Sequence, residues 1–199
     1  MPEHAYTLQD LRPFLDALEQ LKLVERRNRV VDRSRFENSA EHSWNVALMA
    51  HVCGAFAPEG TDLHRAVLML LVHDVVEIYA GDTWAYAPES GSEAVKQREH
   101  AAAETLFAAL PKNLHAEFSG LWREYSERET ATARYAAAID ALQPLHNHSL
   151  SGGFAPGEPR PTEQQVFARK GIIADASPEL WAFAQELIAA NIANGTFAT

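Results

Sequence analysis

An all-helical fold is predicted for this chain by three observations. Apolar residues recur at the three-and-four spacing of an amphipathic helix through almost the whole sequence. Alanine, which loses the least entropy on entering a helix, is abundant, while the glycines are few and clustered. No stretch alternates apolar and polar residues with the period of two that a half-buried strand requires. The 199 residues, 47% of them aliphatic or aromatic, suffice for one full-sized domain with its own core.

The elements follow in order. A first helix is expected from about Thr7 to Val24, with Leu8, Leu11, Leu15, Leu18 and Leu21 as its buried stripe. The segment ERRNRVVDRSRFEN is basic and irregular and reads as a loop. A second helix begins at NSAEHSW, where Asn38 is a good N-cap and Glu41, three residues on, completes a capping box. It stops before Pro58-Glu59-Gly60. Thr61 or Asp62 caps a third helix, LHRAVLMLLVHDVVEIYAG, which ends at Gly81. DTWAYAPESGS reads as a loop. Further helices are expected at about Glu93 to Leu110, Asn113 to Ser126 and Thr130 to His148, the last kinked at Pro144. After the loop SGGFAPGEPRP come two C-terminal helices near 162–175 and 178–194, the second started by Ser177-Pro178. The Gly/Pro-rich stretch is too short for a linker and no repeat is visible. A single domain over 1–199 is therefore expected, its core at about 36–148 and helices 162–195 packed on it.

Charge narrows the partners. A formal net charge of −10 repels a phosphate backbone, so DNA and RNA polymers are not expected. A small phosphate substrate stays open, because a metal and a few arginines reverse the local potential. The single cysteine, Cys53, allows no disulfide within the chain and fits a reducing cytoplasm. MPEHAYTLQD lacks the apolar core of a signal peptide, and the longest apolar run, AVLMLLV, is too short to span a bilayer. No membrane partner is expected.

His73-Asp74 stands inside the apolar helix AVLMLLVHDVVEIYAG. A carboxylate in such a helix is costly unless a cation satisfies it. Glu77 lies on the same face and Asp82 just past the helix end. His42 falls in the first turn of the apolar helix of AEHSWNVALMA, and Asp140 in the equally apolar AAAIDALQPL. Three helices thus supply two imidazoles and two carboxylates, a set that suits one divalent ion (Mn, Co, Ni, Fe, Zn or Mg) without choosing among them. His51 and His64 are each nine residues from one of these histidines along a helix, hence about 180° away, and should face outward. His148 lies about 80° round the helix from Asp140, past Pro144, and is not assigned to the site. The tryptophans read as packing residues; Trp84, beside Asp82-Thr83, is the one to test against a substrate base.

The order His42, His73-Asp74, Asp140 resembles the HD-domain metal phosphohydrolases, which fold as helical bundles. SRFENSAEHSW, LVHDVVEIYAGDT, AAAIDALQPL, SPELW and a helix ending in NGTF are similar to the branch that includes bacterial 5′-deoxynucleotidases. The likeness runs over roughly residues 7–195. It implies that His42, His73, Asp74 and Asp140 hold the metal and that Glu77 is the acidic residue near the attacking water. It implies that Asp82 and Thr83 border the substrate phosphate and sugar, with Asp82 sharing acid–base work with Glu77. It implies that Arg27 orients the phosphate and Arg35 braces the site. An aromatic residue follows the first arginine in that branch; here Asn28 stands there, so selectivity for deoxyribose is not implied. The activity implied is release of phosphate from nucleoside 5′-monophosphates by a cytoplasmic homodimer. Two alternatives stand beside it: hydrolysis of ppGpp, a cyclic nucleotide or a nucleoside triphosphate on the same fold, and a metal-stabilised binding or dimerisation module without turnover.

Overall fold

A computed structural model describes residues 5–155 and 157–198 of the chain. The helical expectation is borne out, and α7 (Ala131–Ser151) forms the axis of the core. Its buried residues include Ala133, Ala136, Ala137, Ala138, Ile139, Leu142 and Leu145. Alanines on a buried face let neighbouring backbones approach closely, and α2 (Ser39–Val52), α3 (Leu63–Val72), α6 (Lys112–Glu127) and α9 (Pro178–Ala193) all contact α7. Pro144 does not end the helix. It withholds only the N–H that the Asp140 carbonyl would have received, and α7 runs on to Ser151.

α1 (Leu8–Leu18) starts where Thr7 and Asp10 form a capping box, and a 3₁₀ turn, Glu19–Leu23, extends it. Its buried face differs from the expected leucine stripe. Leu8 and Leu15 are exposed, whereas Phe14 and Leu21 are buried and Leu11 and Leu18 pack at the edge. Phe14 meets Phe118 of α6 edge-on, so the larger aromatic sets the rotation of the helix.

Two expectations are corrected. First, the segment read as a loop is a β-hairpin: β1 (Glu25–Arg29) pairs antiparallel with β2 (Phe36–Asn38). Its strands are charged, so no apolar alternation announced them. They are held instead by cross-strand pairs, with the Arg29 guanidinium 4.4 Å from the Phe36 ring centroid, and by a turn in which Asp32 accepts from Ser34 N and Oγ. Second, the long third helix is broken. α3 stops at Val72, residues 73–76 form turns, and a short α4 (Glu77–Ala80) follows. The amides of Val75, Glu77, Ile78 and Tyr79 donate to the third residue back rather than the fourth. Residues three apart eclipse in such tightened turns, which brings Asp74 and Glu77 onto one side. Gly81, at φ +73° and ψ 152°, then turns the chain out toward Asp82 in a conformation that side chains disfavour.

α5 (Glu93–Phe107) and α6 close one side of the bundle, while α8 (Glu163–Lys170), a 3₁₀ turn at Gly171–Ile173 and α9 lie against α7. Val166, Ile173, Leu180, Ala184 and Ile188 join the same hydrophobic cluster as the residues of α2, α3 and α7. No described helix is long and apolar enough to cross a membrane.

Candidate metal centre

Three elements aim their chemistry at one point. The Asn38–Glu41 capping box fixes the start of α2 and so places His42 in its first turn, fully buried. The end of α3 presents His73 and the following turn presents Asp74. The middle of α7 presents Asp140. One ligand atom from each of His42, His73 and Asp140 lies within 4.8 Å of the others, a group able to hold a metal ion. His42 Nε2 is 2.9 Å from Asp140 Oδ1, and His73 Nε2 is 3.7 Å from the same oxygen.

The ring orientations are fixed from behind. Gln143 donates through Nε2 to Glu37, which leaves its Oε1 to accept from Nδ1 of His42. His73 donates through Nδ1 to the Leu70 carbonyl at 2.8 Å. Both Nε2 atoms therefore face the shared point, the arrangement by which outer partners select the coordinating nitrogen. His73 Nε2 is buried and has no hydrogen-bond partner. An orphaned buried nitrogen of this kind, aimed at carboxylate oxygens, is the donor a metal would satisfy.

Asp74 belongs to the centre less tightly than the other three. Its Oδ1 is 3.0 Å from His73 Nε2, but its Oδ2 pairs with Arg26 Nη1 at 2.5 Å. Arg26 also approaches Asp82 at 3.7 Å, Glu37 at 3.9 Å and Glu77 at 4.0 Å. Arg26 is the residue that reading of the sequence missed. On a strand successive side chains alternate, and in β1 it is Arg26 that turns inward while Arg27 is exposed. Arg27 makes none of these ion pairs but lines the cavity above the centre, and borders Trp84 and Phe154 in a recess beside it.

The electrostatics are those of a cation site. Burial opposes charge at Asp74, yet His73 and Arg26 hold its carboxyl down to about 2. Burial likewise opposes charge at Asp140, and its hydrogen bond with His42 and the nearby His73 ring hold it well below the carboxylate range. Burial pulls the His73 ring down, but Asp74 and Asp140 outweigh it and lift the ring to about 10. Glu77 is driven the other way: burial and the neighbouring Asp74 push its carboxyl well up, while Arg26 and the Ser39 hydroxyl, which donates at 2.6 Å, resist. Burial also pushes Asp82 up, with Arg26 offsetting part of it.

Above the centre opens a cavity of about 530 Å³. His73, Asp74, Asp140, Glu77, Asp82 and Thr83 all line it, and so does Asn28, whose Oδ1 accepts from His148 Nε2 at 3.1 Å. His148, left out of the site on helical angle, is therefore part of its wall. Thr83 Oγ1 accepts from Arg98, and Trp84 lies edge-on to Tyr86 on the cavity side. Tyr125, unmarked in the sequence except as an apolar position of α6, donates to Asp140 Oδ2 at 2.8 Å and so orients that carboxylate. Lys170 is buried in the lining as well. Arg35 is not brought in. It forms a two-pronged pair with Glu41 at 2.8 and 2.5 Å on the exposed side of the hairpin, and supports only the helix start that carries His42. His51 and His64 are exposed.

A helical core with a His/His/Asp centre at its middle defines a class, and the sequence comparison names it. The pattern of the HD domain family matches residues 18–181, and the chain belongs to that family. Among curated relatives, a 5′-deoxynucleotidase of Xenopus laevis is 31% identical over 136 residues, covering 68% of this chain and 66% of its own length. One from Homo sapiens is also 31% identical, covering 68% and 65%, and one from Pasteurella multocida is 34% identical, covering 53% and 57%. The chain thus spans 57–66% of the length of these relatives. A crystal structure of a protein from Magnetospirillum magnetotacticum, described as a predicted metal-dependent phosphohydrolase, superposes with a TM-score of 0.87 at 38% identity, covering 96% of this chain and 98% of that one.

Proposed function

We propose that this chain is a metal-dependent phosphoric monoester hydrolase that releases phosphate from nucleoside 5′-monophosphates. The observation that carries this reading is the buried, unpartnered Nε2 of His73, facing the carboxylate of Asp140 beside Nε2 of His42. His42, His73, Asp140 and Asp74 would hold one divalent cation, Asp74 through Oδ1, the oxygen that Arg26 leaves free. Such a cation polarises a phosphate oxygen and acidifies a water at neutral pH.

The chain's own residues supply the rest. Arg26, wedged among carboxylates, turns toward the phosphoryl oxygens once Asp74 is otherwise engaged. Glu77, anchored by Ser39 and lifted by burial, is poised to take or give a proton at the attacking water. Asp82, on the same cavity, serves the leaving oxygen. Thr83, Asn28, Trp84 and Tyr86 border the space left for a sugar and base, and Arg27 stands at the rim. The likeness to 5′-deoxynucleotidases supports the nucleotide substrate.

The family tendency to pair supports a homodimer, with Trp44, Leu48 and Val52 exposed along α2 as its candidate face. The one cysteine supports a cytoplasmic setting, and the shared hydrophobic cluster supports a single domain over 1–199. The test is phosphate release from a panel of deoxy- and ribonucleoside monophosphates with each divalent metal. Both sugars belong in it, because no aromatic follows the arginine: Arg26 precedes Arg27, and Arg27 precedes Asn28. Turnover should need added metal and fall about 10²–10⁴-fold in Glu77→Gln, with metal content unchanged by elemental analysis. No release with any metal, or full activity in Glu77→Gln, would overturn the reading.

A further inference from the structure

We propose that Lys170, the last residue of α8, is a phosphate-receiving cation of this cavity, a substrate-binding residue beyond Arg26. The inference rests on the phosphohydrolase reading above for the identity of the group bound.

Lys170 is 5% exposed and lines the cavity. Among the described residues its Nζ makes no ion pair and no hydrogen bond. A buried ammonium without a counterion is destabilising, so a fold that keeps one has left room for an anion. The place of Lys170 in the lining is what puts this charge beside the space a substrate would fill.

The other cations in and around the cavity are already engaged or exposed. Arg26 is surrounded by Asp74, Asp82, Glu37 and Glu77. Arg29 is paired with Glu158, and Arg98 is bonded to Thr83. Arg27, Lys96, Arg128 and Arg169 reach the lining from exposed positions, where solvent screens them. The same cavity holds Asp74, Glu77, Asp82 and Asp140, so an entering phosphate meets a negative field that one engaged arginine does not cancel. Lys170 is the buried cation of the lining that, among the described residues, has no ion-pair partner, with Asp140 acting on it only at a distance. Its field is already felt on that wall: burial and Lys170 together hold the His148 ring down to about 4, which keeps it neutral beside the phosphate.

The test is calorimetric binding of inorganic phosphate to Mn²⁺-loaded protein, comparing wild type with Lys170→Met, Lys170→Gln and Lys170→Arg. Methionine matches the length of the buried stem, and melting temperature checks that each variant folds. Phosphate affinity should fall by about tenfold or more in the Met and Gln proteins and be largely kept in the Arg protein, as loss of a charge-assisted hydrogen bond requires. In turnover the Met protein should show a raised KM with a smaller change in kcat. If either folded neutral variant binds phosphate within about twofold of wild type, Lys170 is not the receiving cation. If phosphate binding depends on Lys170 while no nucleotide is hydrolysed by any form, the substrate reading fails and the subsite stands. If nucleotides are hydrolysed and the variants bind phosphate normally, the subsite fails and the reading stands.

Discussion

Gln143 shows how much of the centre is set by residues that touch no metal. Its amide is buried between Glu37 and His42, and its orientation decides which nitrogen of His42 carries the proton. Gln143→Leu should weaken divalent-metal affinity about 10–100-fold, read by competition with a chelating dye. Lys170 supplies the pH dependence at this scale. An ordinary lysine titrates at 10.5; burial brings Lys170 to about 8, with Arg169 on its own helix and Arg26 of β1 pushing down and Asp140 of α7 pulling up. His148 of α7 faces it as a neutral ring. Below pH 8 the residue is charged in both folded and unfolded chains. Between pH 8 and 10.5 the unfolded chain holds the proton that the folded one has released, so stability attributable to Lys170 rises with pH. Lys170→Met should therefore be more stable than wild type by about 3 kcal/mol at pH 7. That advantage should shrink toward nothing as pH approaches 10.5 in urea titrations; a constant difference would contradict the burial argument.

At the scale of elements, the break after α3 does the positioning. A continuous helix would advance Asp74 and Glu77 by 100° per residue, whereas the three-residue spacing of these turns eclipses them. Gly81 ends this device at positive φ. Gly81→Ala meets no atom within 4 Å, so its effect is backbone strain alone. It should cost about 1–2 kcal/mol in chemical denaturation and lower turnover through displacement of Asp82. The hairpin is the other positioning element. The alternation of β1 that turns Arg26 toward the carboxylates leaves Arg27 exposed on the lining of the same cavity.

For the molecule as a whole, the centre ties α2, the turn after α3 and α7 together at the middle of the core. Metal held only by the folded chain must then raise its stability. At a concentration 100 times the dissociation constant the gain is about 2.7 kcal/mol, which for a chain of this length is a rise of about 5–10 °C in melting temperature. Calorimetry of metal-loaded against EDTA-treated protein measures it; no shift with any divalent cation would count against the centre.

Helical class, most helix starts and the residues of the centre were legible in the sequence, because each is a local pattern. Caps such as Thr7, Asn38 and Ser177 act within one turn, and a histidine or aspartate in an apolar helix is conspicuous whatever the fold. Which face of α1 is buried, where α3 breaks, which arginine of the hairpin points inward and that Tyr125, His148 and Lys170 share one cavity were decided only by tertiary structure. Those features depend on contacts between residues far apart in the chain: Phe14 against Phe118, Arg26 against Asp74, and Tyr125 and His42 against Asp140. Local periodicity carries no information about such distances, and only the packed chain brings the partners together.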